Sequence, residues 1–86
     1  MNEKLFNGNK NITSERILLA RERKGITQMD LAARLQTEGV VIDNNGICKI
    51  ENNNRGVSDF ELKYIAKHLD VSIEWLLDEE APSSDD

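Results

Sequence analysis

The stretch Asp43-Asn44-Asn45-Gly46-Ile47-Cys48-Lys49-Ile50-Glu51-Asn52 is short and rich in amides, and its reading decides the fold. An α-helix turns about 100° per residue, which puts Ile47 and Ile50 on one face. With their midpoint as the core direction, Asn45 and Asn52 point almost directly away from it, and Lys49 and Cys48 flank them. Glu51 falls near the buried side, where a lone carboxylate is costly and a cationic partner is expected. Asp43 or Asn44 caps this helix, and Asn44 stands at its start, where a side chain reaches beyond the helix end. The outward face therefore carries amides and one ammonium, with no carboxylate at its centre.

An ordinary solvated face has the same composition, so the flanking sequence has to decide. Upstream, Thr27 with Asp30 three residues on forms a capping-box-like start for a second helix. Its stripe is Leu31, Ala32 and Leu35, and it ends between Thr37 and Gly39. Gly39-Val40-Val41-Ile42 reads as a connection that packs onto the core rather than a strand. Further upstream, Thr13 or Ser14 caps a first helix with Ile17, Leu18 and Ala20 as its apolar face. Arg21, Arg23 and Lys24 suit its C-terminal dipole, and Gly25 stops it. Downstream, Ser58 and Glu61 form a capping box for a fourth helix whose core positions are Leu62, Ile65, Ala66 and Leu69. Ser72 caps a fifth, carrying Ile73, Leu76 and Leu77. The class is all-α, with five helices and no alternating strand pattern.

A helix pair, a connection and a short polar helix follow the helix-turn-helix order. On such a helix an outward amide offers a donor and an acceptor to a base edge, and lysine reaches guanine acceptors or phosphate. Charge runs against this reading at first, because the 86-residue chain carries a net charge of -5. The imbalance is local. Residues 1–60 hold nine Lys/Arg and eight Asp/Glu, or +1, and residues 61–86 hold two Lys and eight Asp/Glu, or -6.

Three motifs carry a family resemblance. They are Arg21…Gly25-Ile26-Thr27-Gln28-x-x-Leu31-Ala32, Ile47-x-x-Ile50-Glu51-Asn52, and Leu69-x-Val71-Ser72-Ile73-x-Trp75-Leu76-Leu77. Their order and spacing resemble the Cro and phage-repressor type of helix-turn-helix domain, the XRE family, over roughly residues 14–77. The resemblance implies a five-helix lambda-repressor-like domain that binds double-stranded DNA as a transcriptional regulator, a repressor of bacterial or phage origin. It implies that Thr27 and Gln28, at the start of the second helix, lie against DNA, with Gln28 on a phosphate and on the recognition helix. Asn44, Asn45 and Lys49 match base-contacting positions. Asn52 to Arg55, with Asn52, Asn54 and Arg55 as the DNA-contacting residues, match the loop after the recognition helix, whose backbone amides and basic side chain meet phosphate. Arg21 and Glu51 match a buried ion pair. Ile73, Trp75, Leu76 and Leu77 match a region that closes the core and often contributes to dimerisation.

The chain departs from that pattern in three places. The connection between the second and third helices is several residues longer than the usual tight turn. Gly46 replaces the Ser, Thr or Ala of many relatives and should cost about 1 kcal/mol of helix stability relative to Ala. Glu51-Asn52-Asn53 stands for the familiar Glu-Asn-Gly, and asparagine tolerates the left-handed conformation that glycine would supply.

The domain organisation expected is a flexible arm over residues 1–12, a helix-turn-helix domain over 13–78, and an acidic disordered tail over 79–86. No apolar run approaches the about 18 residues of a membrane span, and residues 1–13 hold no stretch of signal-peptide type. The single cysteine, Cys48, makes neither an internal disulfide nor a structural zinc site, and a cytoplasmic protein is expected. His68 stands without a nucleophile constellation and reads as a surface histidine. Asp59, Glu61, Glu74, Asp78 and Glu79 read as solubility and capping groups rather than paired acid/base catalysts. The chain is thus expected to be a homodimeric DNA binder and no enzyme, with no metal, cofactor or small-molecule substrate. A different class, a protein–protein module docking through the acidic C-terminal third, fits the same charge distribution.

Overall fold

Four of the five described helices begin where a side chain supplies an acceptor that the first turn lacks. The computed structural model describes residues 11–78. The elements are α1 (Ser14–Lys24), α2 (Gln28–Thr37), α3 (Asn44–Glu51), α4 (Asp59–Leu69) and α5 (Ile73–Leu76), with no strand among the described residues. Thr27 accepts from the Asp30 amide, and the Asp30 carboxylate accepts from the Thr27 amide, a full capping box. Ser58 and Glu61 repeat it at α4, and Ser72 accepts from the Trp75 amide at α5. Asp43, rather than Asn44, caps α3 by accepting from the Gly46 amide at 2.8 Å.

The first helix corrects the expectation. Thr13 occupies the cap position, but its backbone is helical and its side chain makes no capping bond. Its hydroxyl and amide both donate to Asn11 Oδ1, at 3.0 and 2.9 Å. The hydroxyl is thereby taken up locally, in the turn that asparagine favours. Asn11, read with the N-terminal arm, is thus held in place. Residues 1–10 of that arm, and the tail at 79–86, lie outside the described residues. At the other end of α1, Gly25 adopts φ +77° and donates to the Arg21 and Glu22 carbonyls, the left-handed stop that glycine provides.

One apolar cluster joins every helix: Ile17 and Ala20 from α1, Leu31, Ala32 and Leu35 from α2, Ile47 and Ile50 from α3, Ile65, Ala66 and Leu69 from α4, and Leu76 from α5. α2 packs on both α3 and α4, while α1 meets α3, α4 and α5. The long connection joins the cluster too, through buried Val40 and Ile42. Its backbone is tied by Val40 N–H to the Leu35 carbonyl at 3.1 Å, and by Gln36 Nε2 donating to the Ile42 carbonyl at 2.8 Å. At its start Glu38 meets Lys67 Nζ and His68 Nε2 of α4, each at 2.8 Å. His68 is therefore half-buried and bonded rather than a free surface ring.

Gly46 has a specific reason. A Cβ there would lie 2.6 Å from Ile42 Cγ1 and 3.2 Å from its Cδ1. The isoleucine of the connection sits in the notch that the missing side chain leaves. The helix-propensity penalty of glycine is therefore coupled to the burial of Ile42.

Candidate nucleic-acid interface

Burial on α3 is sharply two-sided. Ile47 and Ile50 are fully buried, whereas Asn44, Asn45, Lys49 and Asn52 are exposed. Cys48 and Gly46 lie between the two faces. A lysine and two amides thus stand in solvent on a helix whose other side is fixed in the core, with a third exposed amide, Asn52, at its C-cap.

The C-terminal end of α3 is held by charge. Arg21 Nε and Nη2 donate to Glu51 Oε2 and Oε1 at 2.6 and 3.0 Å, a two-point ion pair between α1 and α3. Gln28 Nε2 donates to the same Glu51 Oε1 at 2.9 Å, and Arg21 Nη1 donates to the Ile26 carbonyl at 2.9 Å. Glu51 is 8% exposed, and these donors satisfy its carboxylate in a nearly dry site. The hydrogen bond to Glu51 raises the Arg21 pKa against the opposing effect of burial. Gln28 thus touches the helix that projects the amides, and it fixes the start of α2 beside it.

The loop after α3 turns its amides inward. Asn52, Asn53 and Asn54 N–H donate to the carbonyls of Cys48, Ile50 and Lys49, at 3.0, 3.1 and 2.8 Å. The backbone amides expected to meet phosphate at these three positions therefore have partners within the chain. Asn53 takes φ +62°, the left-handed conformation in which asparagine stands for glycine. Asn11 closes the loop from the far end of the sequence. Its Nδ2 donates to the Ile50 and Arg55 carbonyls at 3.2 and 2.8 Å, and its amide donates to Asn53 Oδ1 at 3.0 Å.

Arg55 is engaged as well. Its Nη1 and Nη2 donate to Glu61 Oε1 and Oε2 at 3.0 and 2.9 Å. The same carboxylate accepts from the Ser58 amide in the α4 capping box. The Arg55 guanidinium holds the Glu61 carboxyl below its usual range, with burial opposing and the Ser58 amide assisting. Glu61 is thus a buried anchor rather than a solubility group. Asn54 is exposed, and the exposed Asn52 side chain donates to Cys48 Sγ at 3.3 Å.

Two hollows flank the outward face of α3. Arg21, Thr27, Gln28, Met29 and Asn44 border one of them. The other is bordered by Val41, Asp43, Asn45, Lys49 and Arg55. Thr27, Gln28 and Asn44 thus border one hollow and Asn45, Lys49 and Arg55 the other, whereas Asn52 borders a third with Asn11, Glu15, Arg16 and Asp78. Asn11, Gln36 and Val41 were not singled out from the sequence. Asn11 acts across 39 to 44 residues of chain, and no local pattern marks such a clamp.

The C-terminal apolar group divides. Leu76 is fully buried, whereas Ile73, Trp75 and Leu77 are half-buried. The Arg16 guanidinium lies 4.5 Å above the Trp75 ring and that of Arg23 lies 5.7 Å from it. Arg16 also donates to the Trp75 carbonyl at 2.9 Å and to Asp78 at 2.6 Å, which ties α5 to α1. Among the described residues no cluster of His, Cys, Asp or Glu could hold a metal ion, and no helix is long and apolar enough to cross a membrane.

Five packed helices that expose one polar face of the third define a helix-turn-helix domain. The family model described as Helix-turn-helix matches residues 17–76, well over half of the chain, and the chain belongs to that family, the Cro/XRE type of DNA-binding regulator. The family is regulatory rather than enzymatic. Among curated proteins and among solved structures, none matches the chain.

Proposed function

We propose that this protein binds double-stranded DNA sequence-specifically, inserts α3 into the major groove, and represses transcription from a bacterial or phage promoter. The observation that carries the reading is the exposed row of Asn44, Asn45 and Lys49 on a helix whose opposite face is fully buried. A rigid helix with outward amides and an ammonium matches the donor and acceptor pattern of base edges. Thr27, Gln28, Asn52 and Asn54 then contact the backbone on either side and set the register. Arg55 joins them by turning part of its guanidinium from Glu61 to a phosphate. Two copies joined through Ile73, Trp75 and Leu77 place two α3 helices about 34 Å apart, one turn of DNA. The compartment is the cytoplasm, with the DNA.

Selection from random duplex DNA tests this directly. The expected product is a palindrome with half-sites one helical turn apart. Binding to it should fall steeply with salt, because each phosphate contact releases counterions. Lys49→Ala should weaken specific binding by about 1–3 kcal/mol if Lys49 reads a base. Unchanged affinity of that variant in a mobility-shift titration would remove α3 from the role of reader. Recovery of no preferred duplex would favour the protein–protein module.

A further inference from the structure

Val41 is 94% exposed, yet both of its chain neighbours are core residues, Val40 at 2% and Ile42 at 5%. Single exposed apolar side chains are common and need no explanation by themselves. This one is set apart by how firmly it is held and by what lies beside it. Val40 N–H is bonded to the Leu35 carbonyl, Gln36 Nε2 is bonded to the Ile42 carbonyl, and the Ile42 side chain fills the notch over Gly46. Two anchored neighbours fix the direction of the residue between them, so the valine is presented to solvent by a built segment. Val41 also borders the hollow that Asn45 and Lys49 border, on the outward side of α3.

Asn45 and Lys49 answer hydrogen-bonding groups. Neither recognises the apolar feature of the major groove, the C5-methyl group of thymine, which side chains read by apolar contact. We propose that Val41 is a specificity-determining residue that packs its methyl groups on a thymine methyl at the edge of the half-site read by α3. This rests on the DNA-reading surface proposed above and adds to it a base type and a residue outside the recognition helix. The long connection then has a role in recognition. It carries an apolar reader alongside the helix, with its own anchors in the core.

The test uses the full chain and the duplex recovered by selection. Each thymine is replaced singly by deoxyuridine, which lacks only the methyl group, and wild type and Val41→Ser are titrated on every duplex. One thymine in each half-site should weaken wild-type binding about fourfold when its methyl is removed, the value of one buried methyl-sized group. Val41→Ser should bind the parent duplex about as weakly, and should be indifferent to that same replacement. Its thermal unfolding should match wild type, since the side chain is in solvent. A duplex that binds in a Lys49-dependent way but shows no methyl-sensitive thymine overturns the role of Val41 and leaves the role of α3 standing. So does a sensitive thymine to which the V41S variant responds as wild type does. If no duplex is selected at all, the α3 reading fails, and this inference fails with it.

Discussion

The two ends of α3 are held by different physics. Its N-terminal end rests mainly on packing: Val40 and Ile42 enter the core and Ile42 occupies the Gly46 notch, with polar bonds only from Asp43 to the helix start and within the segment 35–42 that leads into it. Its C-terminal end rests on directed polar contacts from several elements. Arg21 and Gln28 converge on Glu51, Asn11 bonds the Ile50 and Arg55 carbonyls, and Arg55 pairs with Glu61. Packing is non-directional, and its tolerance is set by the fit of volumes. Hydrogen bonds are lost steeply with angle and distance. The polar end therefore fixes the direction in which the amides project, while the packed end fixes how close the connection comes to them.

The largest expected effect lies at the polar end. Glu51→Ala leaves the Arg21 side chain, only 12% exposed, without its counter-ion, and leaves Gln28 without its acceptor. Breaking a buried pair from one side costs about 3–5 kcal/mol. For a domain whose whole stability is about 5–15 kcal/mol, that is a large fraction. Urea unfolding should show the loss, and Glu51→Gln, which keeps an acceptor, should lose less. A Glu51→Ala variant within about 1 kcal/mol of wild type would mean that packing governs both ends.

The packed end should respond more weakly, and in a way that can change sign. Gly46→Ala gains about 1 kcal/mol of helix propensity. Against this stands the Cβ placed 2.6 Å from Ile42 Cγ1. Overpacking of a filled core costs about 1–3 kcal/mol, so the net outcome is a loss of about 0–2 kcal/mol. In an Ile42→Ala background the clash is absent, and the same change should become stabilising. The double-mutant cycle reads that coupling. Full stabilisation of about 1 kcal/mol by Gly46→Ala in the wild-type background would mean that the notch is not tight.

This contrast also explains what was legible in the sequence. Helix starts announce themselves through local pairs such as Thr27 with Asp30 and Ser58 with Glu61, three residues apart. The two faces of α3 follow from periodicity alone, and periodicity also turned Glu51 inward. Contacts made across long stretches of chain leave no such trace. Asn11 looked like one more asparagine of a polar segment, and Thr13 looked like an ordinary cap. Arg55 matched a phosphate-contacting position, but its pairing depends on Glu61, whose capping role was the more local signal. Gly46 was visible as a departure, but the Ile42 side chain that requires it could be placed only by the path of the connection. The apolar stretch at 39–42 reads as packing on the core, and the exposure of Val41 within it follows only from the fold.

The smallest effect concerns Glu61, and it tests whether Arg55 is held. Arg55 is the first cause that lowers the Glu61 carboxyl below its usual value of 4.5. A carboxylate lowered in the folded state takes up its proton later than in the unfolded chain as pH falls. Its contribution to stability is therefore complete above about pH 4.5 and is lost as pH drops through the lowered folded value. The Arg55 side chain is 32% exposed, so solvent screening keeps the contribution modest. Glu38 is lowered as well, by Lys67 first and His68 second, and it loses its contribution on the same acid side. The informative quantity is therefore the difference between wild type and Glu61→Gln in urea midpoints taken from about pH 6 to pH 3. Wild type should be the more stable at the upper end, and the two curves should converge in acid. Parallel curves would mean that the Arg55–Glu61 pair contributes nothing to folding. The guanidinium would then be free to meet a phosphate without leaving a partner, and the loop after α3 would be less firmly held than the ion pair at Arg21 and Glu51.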